Sequence, residues 1–228
     1  MNVRTRSAGV LLLSLLSVGL LFALRIGLNA YSKTQTKLMD NRRVAGAQRI
    51  LEQELEGLVP VVAPCGAGTE GGGAPARFFQ GEPEVMRLVS TFSLQGAWRG
   101  RTQILEIFVI PGAEGRGVRL VVNEIPYQGP QAAGRMCLGP GRFLPPNAGP
   151  DSFVLADKLA FCRFAYLDRP QDLNVPVRWL PRFAGLAWPQ AVRIEMAPME
   201  PDPSRLQPIS VVAPIHVLRS PEIAYGDY

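Results

Sequence analysis

Side chains that commonly carry out catalysis are sparse in this chain of 228 residues. The single histidine, His216, lies between Ile215 and Val217 in a predicted strand, where an imidazole is more often structural than a general base. No Gly-x-Ser-x-Gly, Cys-x-x-Cys or His-Glu-x-x-His sequence occurs, so the usual signatures of an activated nucleophile or a catalytic zinc ion are missing. We therefore expect a protein that is not an enzyme, with no cofactor and no small-molecule substrate.

Three aspartates offer calcium binding as the other candidate chemistry. Asp151, Asp157 and Asp168 carry oxygen ligands of the kind that Ca²⁺ prefers. They lie next to predicted turns, however, where aspartate is common because its side chain hydrogen-bonds the local backbone. No loop offers oxygen ligands at alternate residues. We predict no metal site, with calcium among these aspartates as the open alternative.

The elements that must position these residues begin with an apolar segment, residues 10–24, which starts at Val10 and ends at Leu24. It contains two serines and one glycine among strongly apolar residues, and it follows a short basic leader. At helical rise it is roughly 22 Å long, less than the ~30 Å of a bilayer core. Residues 26–31 complete a span if the Arg25 guanidinium extends to the interface.

Three interpretations compete for that segment: a buried core helix, an export signal cleaved after Ala30, and an uncleaved membrane anchor. The basic leader favours export or membrane insertion over a core helix. Residues 32–58 contain no proline and carry one apolar stripe, which consists of Val44, Ala47, Leu51, Leu55 and Leu58. This continuity favours the anchor. It predicts one helix of about fifty residues, near 75 Å long, that Pro60 ends.

The remaining sequence predicts a mainly antiparallel β domain, so that residues 1–60 form the leader and helix and residues 61–228 the second domain. Alternating or continuous apolar patterns mark the predicted strands. These are residues 84–93, 103–110, 117–123, 158–167, 191–197 and 209–217, with 175–179 as a weaker candidate. Residues 103–110 are apolar on both faces except for Glu106, which predicts a central strand. In 84–93, Met86 and Leu88 should face inward and Arg87 outward.

Two Gly-rich stretches interrupt this pattern. Residues 66–75 lack the Gly-Lys-Ser/Thr of a phosphate loop, so we predict a linker or loop there. Residues 128–151 are rich in both glycine and proline and cannot lie inside a sheet. A loop of this length in a small domain is usually functional or tied down. Cys137 within it favours the second explanation.

The three cysteines allow one disulfide, which an exported domain would favour. Cys162 shares the inward face of its predicted strand with Phe164 and Tyr166, and Cys137 lies in the loop that needs fixing. We predict a Cys137–Cys162 disulfide. The loop-closure free energies of the three pairings differ by under about 1 kcal/mol, so pairs that include Cys65 stay open.

The formal net charge of +5 is modest. Its arginines are scattered along the chain, and no Lys/Arg cluster is interleaved with aromatic residues. We therefore expect no nucleic-acid partner.

Three stretches carry a family likeness. They are KLAFCRFAYLD followed by Trp179, then WPQAVRIEM, and NRRVAGAQRILEQELEG at the end of the predicted helix. Their order resembles that of the J-type minor pseudopilins of the type II (general) secretion pathway. In that family an aromatic-rich strand ends near an aspartate, and a tryptophan and a Leu-Pro or Trp-Pro turn lead into an AVRI-like strand.

The resemblance implies a pilin-like α+β fold, in which a long membrane-inserted N-terminal helix precedes a mainly antiparallel β domain. It also implies a structural subunit near the tip of the pseudopilus filament, supporting export of folded proteins across the outer membrane. The protein would cross the bacterial inner membrane once, with its C-terminal domain in the periplasm, and its partners would be the I-type and K-type minor pseudopilins. The alternative is a type IV minor pilin or another membrane-anchored periplasmic binding or assembly protein.

The resemblance further implies where the leader is removed. In the family a basic leader ends in glycine, and the mature chain carries a glutamate at its fifth position. Here Gly9 ends a fitting leader, but Ser14 stands where the glutamate belongs. We predict that any cleavage falls between Gly9 and Val10 and not after Ala30.

Overall fold

A 54-residue N-terminal helix, α1 (Val3–Glu56), precedes an antiparallel sheet in the computed structural model. The structure describes residues 3–66, 73–93, 101–168, 176–183, 188–199 and 209–215. Within these ranges, the side chains of residues 3–14, 30, 32–45 and 209 are not described. The fold is therefore a mixture of helix and mostly antiparallel sheet, as the sequence predicted.

The remaining elements are short except for the central strands. The strands are β1 (Leu58–Val59), β2 (Val62–Cys65), β3 (Ala74–Arg77), β4 (Gln80–Gly81), β5 (Val85–Ser90), β6 (Gln103–Pro111), β7 (Val118–Pro126), β8 (Cys137–Gly139), β9 (Arg142–Phe143), β10 (Phe153–Asp168), β11 (Arg178–Leu180), β12 (Ala191–Pro198) and β13 (Ile209–Pro214). A short helix, α2 (Pro130–Gly134), lies between β7 and β8, and a 3₁₀ turn (Ala113–Gly115) joins β6 to β7.

The single continuous helix predicted from the sequence is confirmed by α1. The chain divides into two compact units, Met1–Ala45 and Gly46–Tyr228, so the last turns of α1 belong to the unit that contains the sheet. Within the parts of α1 and α2 that the structure describes, no helical stretch meets the length and apolarity needed to cross a membrane.

The main sheet has nine strands among the described residues: seven follow the path β1-β5-β6-β7-β10-β12-β13, while β4 pairs with β5 and β11 pairs with β10. All its pairings are antiparallel. Strand β6 lies between β5 and β7, which confirms the central strand predicted for 103–110. Strand β10 begins at Phe153, five residues before the predicted start at Lys158, because its first half pairs with β7 through an irregular register that strict alternation does not reveal.

The face of the sheet toward α1 holds the larger apolar core. Ala47, Leu51 and Leu55 are buried and Leu58 is partly buried, as the predicted stripe requires, whereas the side chain of Val44 lies outside the described residues. Buried side chains of the sheet in this core are Met86 and Leu88 of β5, Leu105 and Ile107 of β6, Leu120 and Val122 of β7, Cys162, Phe164 and Tyr166 of β10, and Val192, Ile194 and Met196 of β12.

The opposite face of β5–β7 is covered by the chain between β7 and β10 and by the β2–β3 hairpin. The second core lies there and includes Phe78, Val89, Ile104, Ala133 and Phe143. Because this face is covered, Arg87 is buried, with 1% of its surface exposed. The prediction that Arg87 faces outward was right about the face of the strand and wrong about exposure to solvent.

The chain at and just after β4 reaches β10 and the residues that follow β11. The Phe183 amide donates to the Gly81 carbonyl (2.8 Å), and the Phe164 amide donates to the Pro83 carbonyl (2.8 Å). A Cβ at Gly81 would lie 2.8 Å from the Phe183 Cβ and 3.1 Å from the Tyr166 ring, so only glycine allows this approach.

Several predicted loops lie partly outside the described residues. In the stretch 66–75, residues 67–72 are not described, and β3 begins at Ala74, so its last two residues are strand and not linker. The stretch 128–151 is mainly irregular, as predicted, but it also contains α2 and the β8–β9 hairpin.

Candidate functional site

The first feature of functional interest is the described apolar part of α1, residues 15–31. Ten large apolar side chains there are between 51% and 71% exposed. They are Leu15, Leu16, Val18, Leu20, Leu21, Phe22, Leu24, Ile26, Leu28 and Tyr31. An exposed apolar surface of this extent marks contact with a membrane or a partner protein.

The C-terminal end of α1 is fixed to β5 by hydrogen bonds. The Ser90 hydroxyl donates to the Glu54 carbonyl oxygen (2.8 Å), and the Thr91 amide donates to the Gly57 carbonyl oxygen (2.9 Å). These bonds satisfy carbonyls that a helix end leaves without an intrahelical partner. The end of the helix therefore continues directly into β1 and the edge of the sheet.

A buried carboxyl group, Glu54, lies at this junction. Glu54 is completely buried, and neither of its carboxyl oxygens has a hydrogen-bond partner among the described residues. Burial, together with the nearby Glu124 carboxylate of β7, raises the pKa of Glu54 from 4.5 to about 8. Glu54 is thus a neutral acid at pH 7, packed between the helix and the sheet.

A row of four polar side chains crosses the other face of the sheet. Gln80, Arg87, Glu106 and Asn123 occupy directly opposed positions on β4, β5, β6 and β7. The Arg87 guanidinium donates to the Glu106 carboxylate from Nε (3.0 Å) and Nη2 (2.5 Å), and to the Gln80 Oε1 from Nη1 (2.9 Å). The Asn123 amide donates to the other oxygen of Glu106 (2.9 Å). Each charge in the row is therefore compensated despite its burial.

This polar row holds the loop between β9 and β10 against the sheet. Arg87 Nη2 donates to the Leu144 carbonyl (2.8 Å), and the Asn123 amide donates to the Asn147 carbonyl (3.0 Å). The Arg87 guanidinium also lies 5.1 Å from the centroid of the Phe143 ring, within the range of a cation–π contact. The polar row thus holds two carbonyl groups of the loop backbone through hydrogen bonds.

A disulfide connects β8, which precedes this loop, to β2. Cys137 pairs with Cys65, across a Cα–Cα distance of 4.9 Å, whereas Cys162 is a free and buried thiol. The predicted Cys137–Cys162 disulfide was therefore wrong in its second partner. The inward position of Cys162 was predicted correctly. Cys162 faces the core beneath α1, whereas Cys137 lies in the second core on the other face of the sheet, so the two thiols cannot pair.

The candidate metal ligands form no cluster among the described residues. Asp157 accepts hydrogen bonds from Arg119 Nε (2.8 Å) and from the Lys158 amide (2.7 Å). The Arg119 contact is the main cause that lowers the pKa of Asp157. In the described part of the chain, no three His, Cys, Asp or Glu side chains come together as a metal site. His216 lies outside the described residues, and the surroundings of Gly9 and the side chain of Val10 are not described either.

A groove opens where the β8–β9 hairpin meets the closure between Gly81 of β4 and Phe183. Its cavity volume is about 330 Å³. Gly81, Glu82, Phe143 and Phe183 line it, together with Arg142 and Arg182, whose side chains are exposed. Leu138, which is 50% exposed, extends its apolar surface.

Comparison with known proteins gives no relative: no protein-family description, no curated protein and no solved structure matches this chain. The functional conclusions below are therefore drawn from its own residues.

Sequence reasoning missed Glu54 and the polar row. Glu54 follows Leu51 by three residues and precedes Leu58 by four, so the helical spacing already puts it on the apolar stripe. The opposed positions of Arg87, Glu106 and Asn123 depend on strand register, which the sequence does not show directly.

Proposed function

We propose that this protein is a J-type minor pseudopilin, a non-enzymatic subunit near the tip of the pseudopilus of the type II secretion system. The single observation that carries the proposal is the division of α1. Its described apolar part exposes ten large side chains, while its last turns bury Ala47, Leu51 and Leu55 against an antiparallel sheet. One helix thus serves both as an apolar arm and as a core element of the C-terminal domain.

This division suits a subunit that moves from a membrane into a filament. Before assembly the apolar arm would hold the protein in the inner membrane, with the sheet domain in the periplasm as in the pseudopilin family. After assembly the same arm would pack among the helices of other subunits, where apolar surfaces replace lipid without a large change in solvation. No chemical step is required, because the function is assembly.

Ser14 suits a position near the tip. The family glutamate is thought to pair with the N-terminal amine of a neighbouring subunit, because an unpaired charge in an apolar filament core costs several kcal/mol. A subunit with serine there cannot offer that carboxylate repeatedly along a filament. It can occupy a position where this pairing is needed once or not at all.

The proposal is tested by reconstitution. The full-length chain, purified in a non-ionic detergent, should form a stoichiometric complex with the I-type and K-type minor pseudopilins of the same bacterium, as measured by size-exclusion chromatography with light scattering. Binding to type IV pilus subunits alone would favour a type IV minor pilin. A chain that stays monomeric with every such partner would contradict the proposal.

A further inference from the structure

We infer that the groove between the β8–β9 hairpin and the Gly81–Phe183 closure is a protein-docking site for a peptide segment that carries one acidic side chain next to an apolar one. This inference goes beyond the proposed function, because it names the surface that takes a partner and the chemistry of the bound segment.

Charge complementarity identifies the acidic part of the segment. Arg142 and Arg182 line the groove from separate segments of the chain, and neither guanidinium forms an ion pair with any residue that the structure describes. Two guanidinium groups beside one cavity form a receptor for a carboxylate, which each can bind through paired N–H groups.

The other lining residues disfavour a simple anion site. Leu138 is exposed and Phe183 half-buried, so an apolar side chain of the ligand gains contact area on them. Glu82 also lines the groove, and its Oε1 accepts a hydrogen bond from Gln80 (2.9 Å). A carboxylate in the lining repels a phosphate or a polyanion but can accept a backbone N–H from a peptide. These features together select a peptide over a lipid headgroup or free phosphate.

Anchoring of the β8–β9 hairpin supports a docking role. The Cys65–Cys137 disulfide fixes the start of this hairpin, and the Arg87 guanidinium lies 5.1 Å from the Phe143 ring centroid at its end, while Leu138 stays exposed. A surface that is ordered before binding loses less conformational entropy when a ligand arrives. The anchored hairpin thus presents Leu138 and Arg142 in one arrangement.

The test uses a display library of random 12-residue peptides, selected against the immobilised full-length chain in detergent. We expect the enriched peptides to carry Asp or Glu beside Leu, Phe or Trp. A synthetic version of the best peptide, measured by fluorescence anisotropy, should bind at least tenfold more weakly to the Arg142→Glu/Arg182→Glu double variant. Leu138→Ser should also weaken binding, because it removes an exposed apolar side chain from the lining of the groove.

The matched control is Arg116→Glu/Arg135→Glu, which makes the same change of charge at exposed positions outside the groove. This control should bind the peptide as the wild type does. Enrichment of peptides without an acidic residue, or an equal loss in both double variants, would overturn the inference. Binding of inorganic phosphate or anionic vesicles in its place, dependent on Arg142 and Arg182, would also overturn it. These results do not depend on any pseudopilin, so a failure here is distinct from a failure of the reconstitution.

Discussion

At the scale of single residues, Glu54 couples the stability of the domain to pH. Its pKa is raised from 4.5 to about 8, chiefly by burial and secondarily by Glu124 of β7. Below about pH 4.5 the group is protonated in both the folded and the unfolded chain, so its stabilising contribution is complete. As the pH rises toward about 8, the unfolded chain releases this proton while the folded chain keeps it. The free energy of unfolding should therefore fall across that interval.

Substitution of Glu54 by Gln should remove this pH dependence, because an amide of the same shape does not titrate. We expect Glu54→Gln to be more stable than the wild type at pH 9, by on the order of a few kcal/mol, with the difference absent or reversed at pH 5. Urea unfolding of the full chain in detergent, followed by tryptophan fluorescence, measures the difference. Glu56→Gln, an exposed neighbour on the same helix, is the matched control. Parallel pH profiles for Glu54→Gln and the wild type would contradict this account of Glu54.

Cys162 provides a second test at the residue scale. Burial is the main cause that raises the pKa of its thiol to about 12, so it should be unreactive in the folded protein. We expect a maleimide reagent to leave the native chain unmodified at pH 8 and to label one thiol per chain after unfolding without reductant. Peptide mapping of that sample should place the label on Cys162 and recover Cys65 linked to Cys137. A label on Cys65 or Cys137 would contradict the observed pairing.

At the scale of elements, the polar row determines whether the loop between β9 and β10 stays in place. Arg87→Met leaves the buried Glu106 carboxylate with only the Asn123 amide as a partner, which should cost about 3–5 kcal/mol. The surface pair Arg119–Asp157 is the control, since Arg119→Met should cost at most about 1 kcal/mol. Denaturant unfolding compares the two variants.

Hydrogen exchange tests the anchoring itself. In Arg87→Met the backbone around Leu144 should lose protection, while β12 should retain it under conditions where the domain stays folded. Unchanged protection around Leu144 would mean that the Cys65–Cys137 disulfide alone holds the loop.

The elements that sequence reasoning predicted are those whose patterns are local. The 3.6-residue stripe of α1 and the two-residue alternation in β12 record the burial of one face, so these elements were recognisable. β5 alternates in sequence as well, although it is buried on both faces. The short strands β1, β4, β8 and β9 contain only two or three residues each, too few for any period. The choice of Cys65 over Cys162 depends on which face of the sheet the loop covers. That choice is tertiary, and neither cysteine spacing nor loop entropy encodes it.

For the whole molecule, buried and exposed apolar surface are divided between the two units. The C-terminal unit contains two apolar cores, on the two faces of the sheet. Ten large apolar side chains in the described apolar part of α1 are exposed. A protein built this way is expected to act through assembly, with the arm covered by lipid or by other helices and the sheet domain free to bind partners.

The most direct test of the proposed role is a secretion assay in the native bacterium. Deletion of the gene should trap the exoproteins of the type II pathway in the periplasm, and a plasmid that encodes the full chain should restore their release into the medium. A chain that lacks residues 10–31 but keeps an export signal should not restore release, although its sheet domain reaches the periplasm. Normal secretion by the deletion strain would contradict the role of this protein as a pseudopilus subunit.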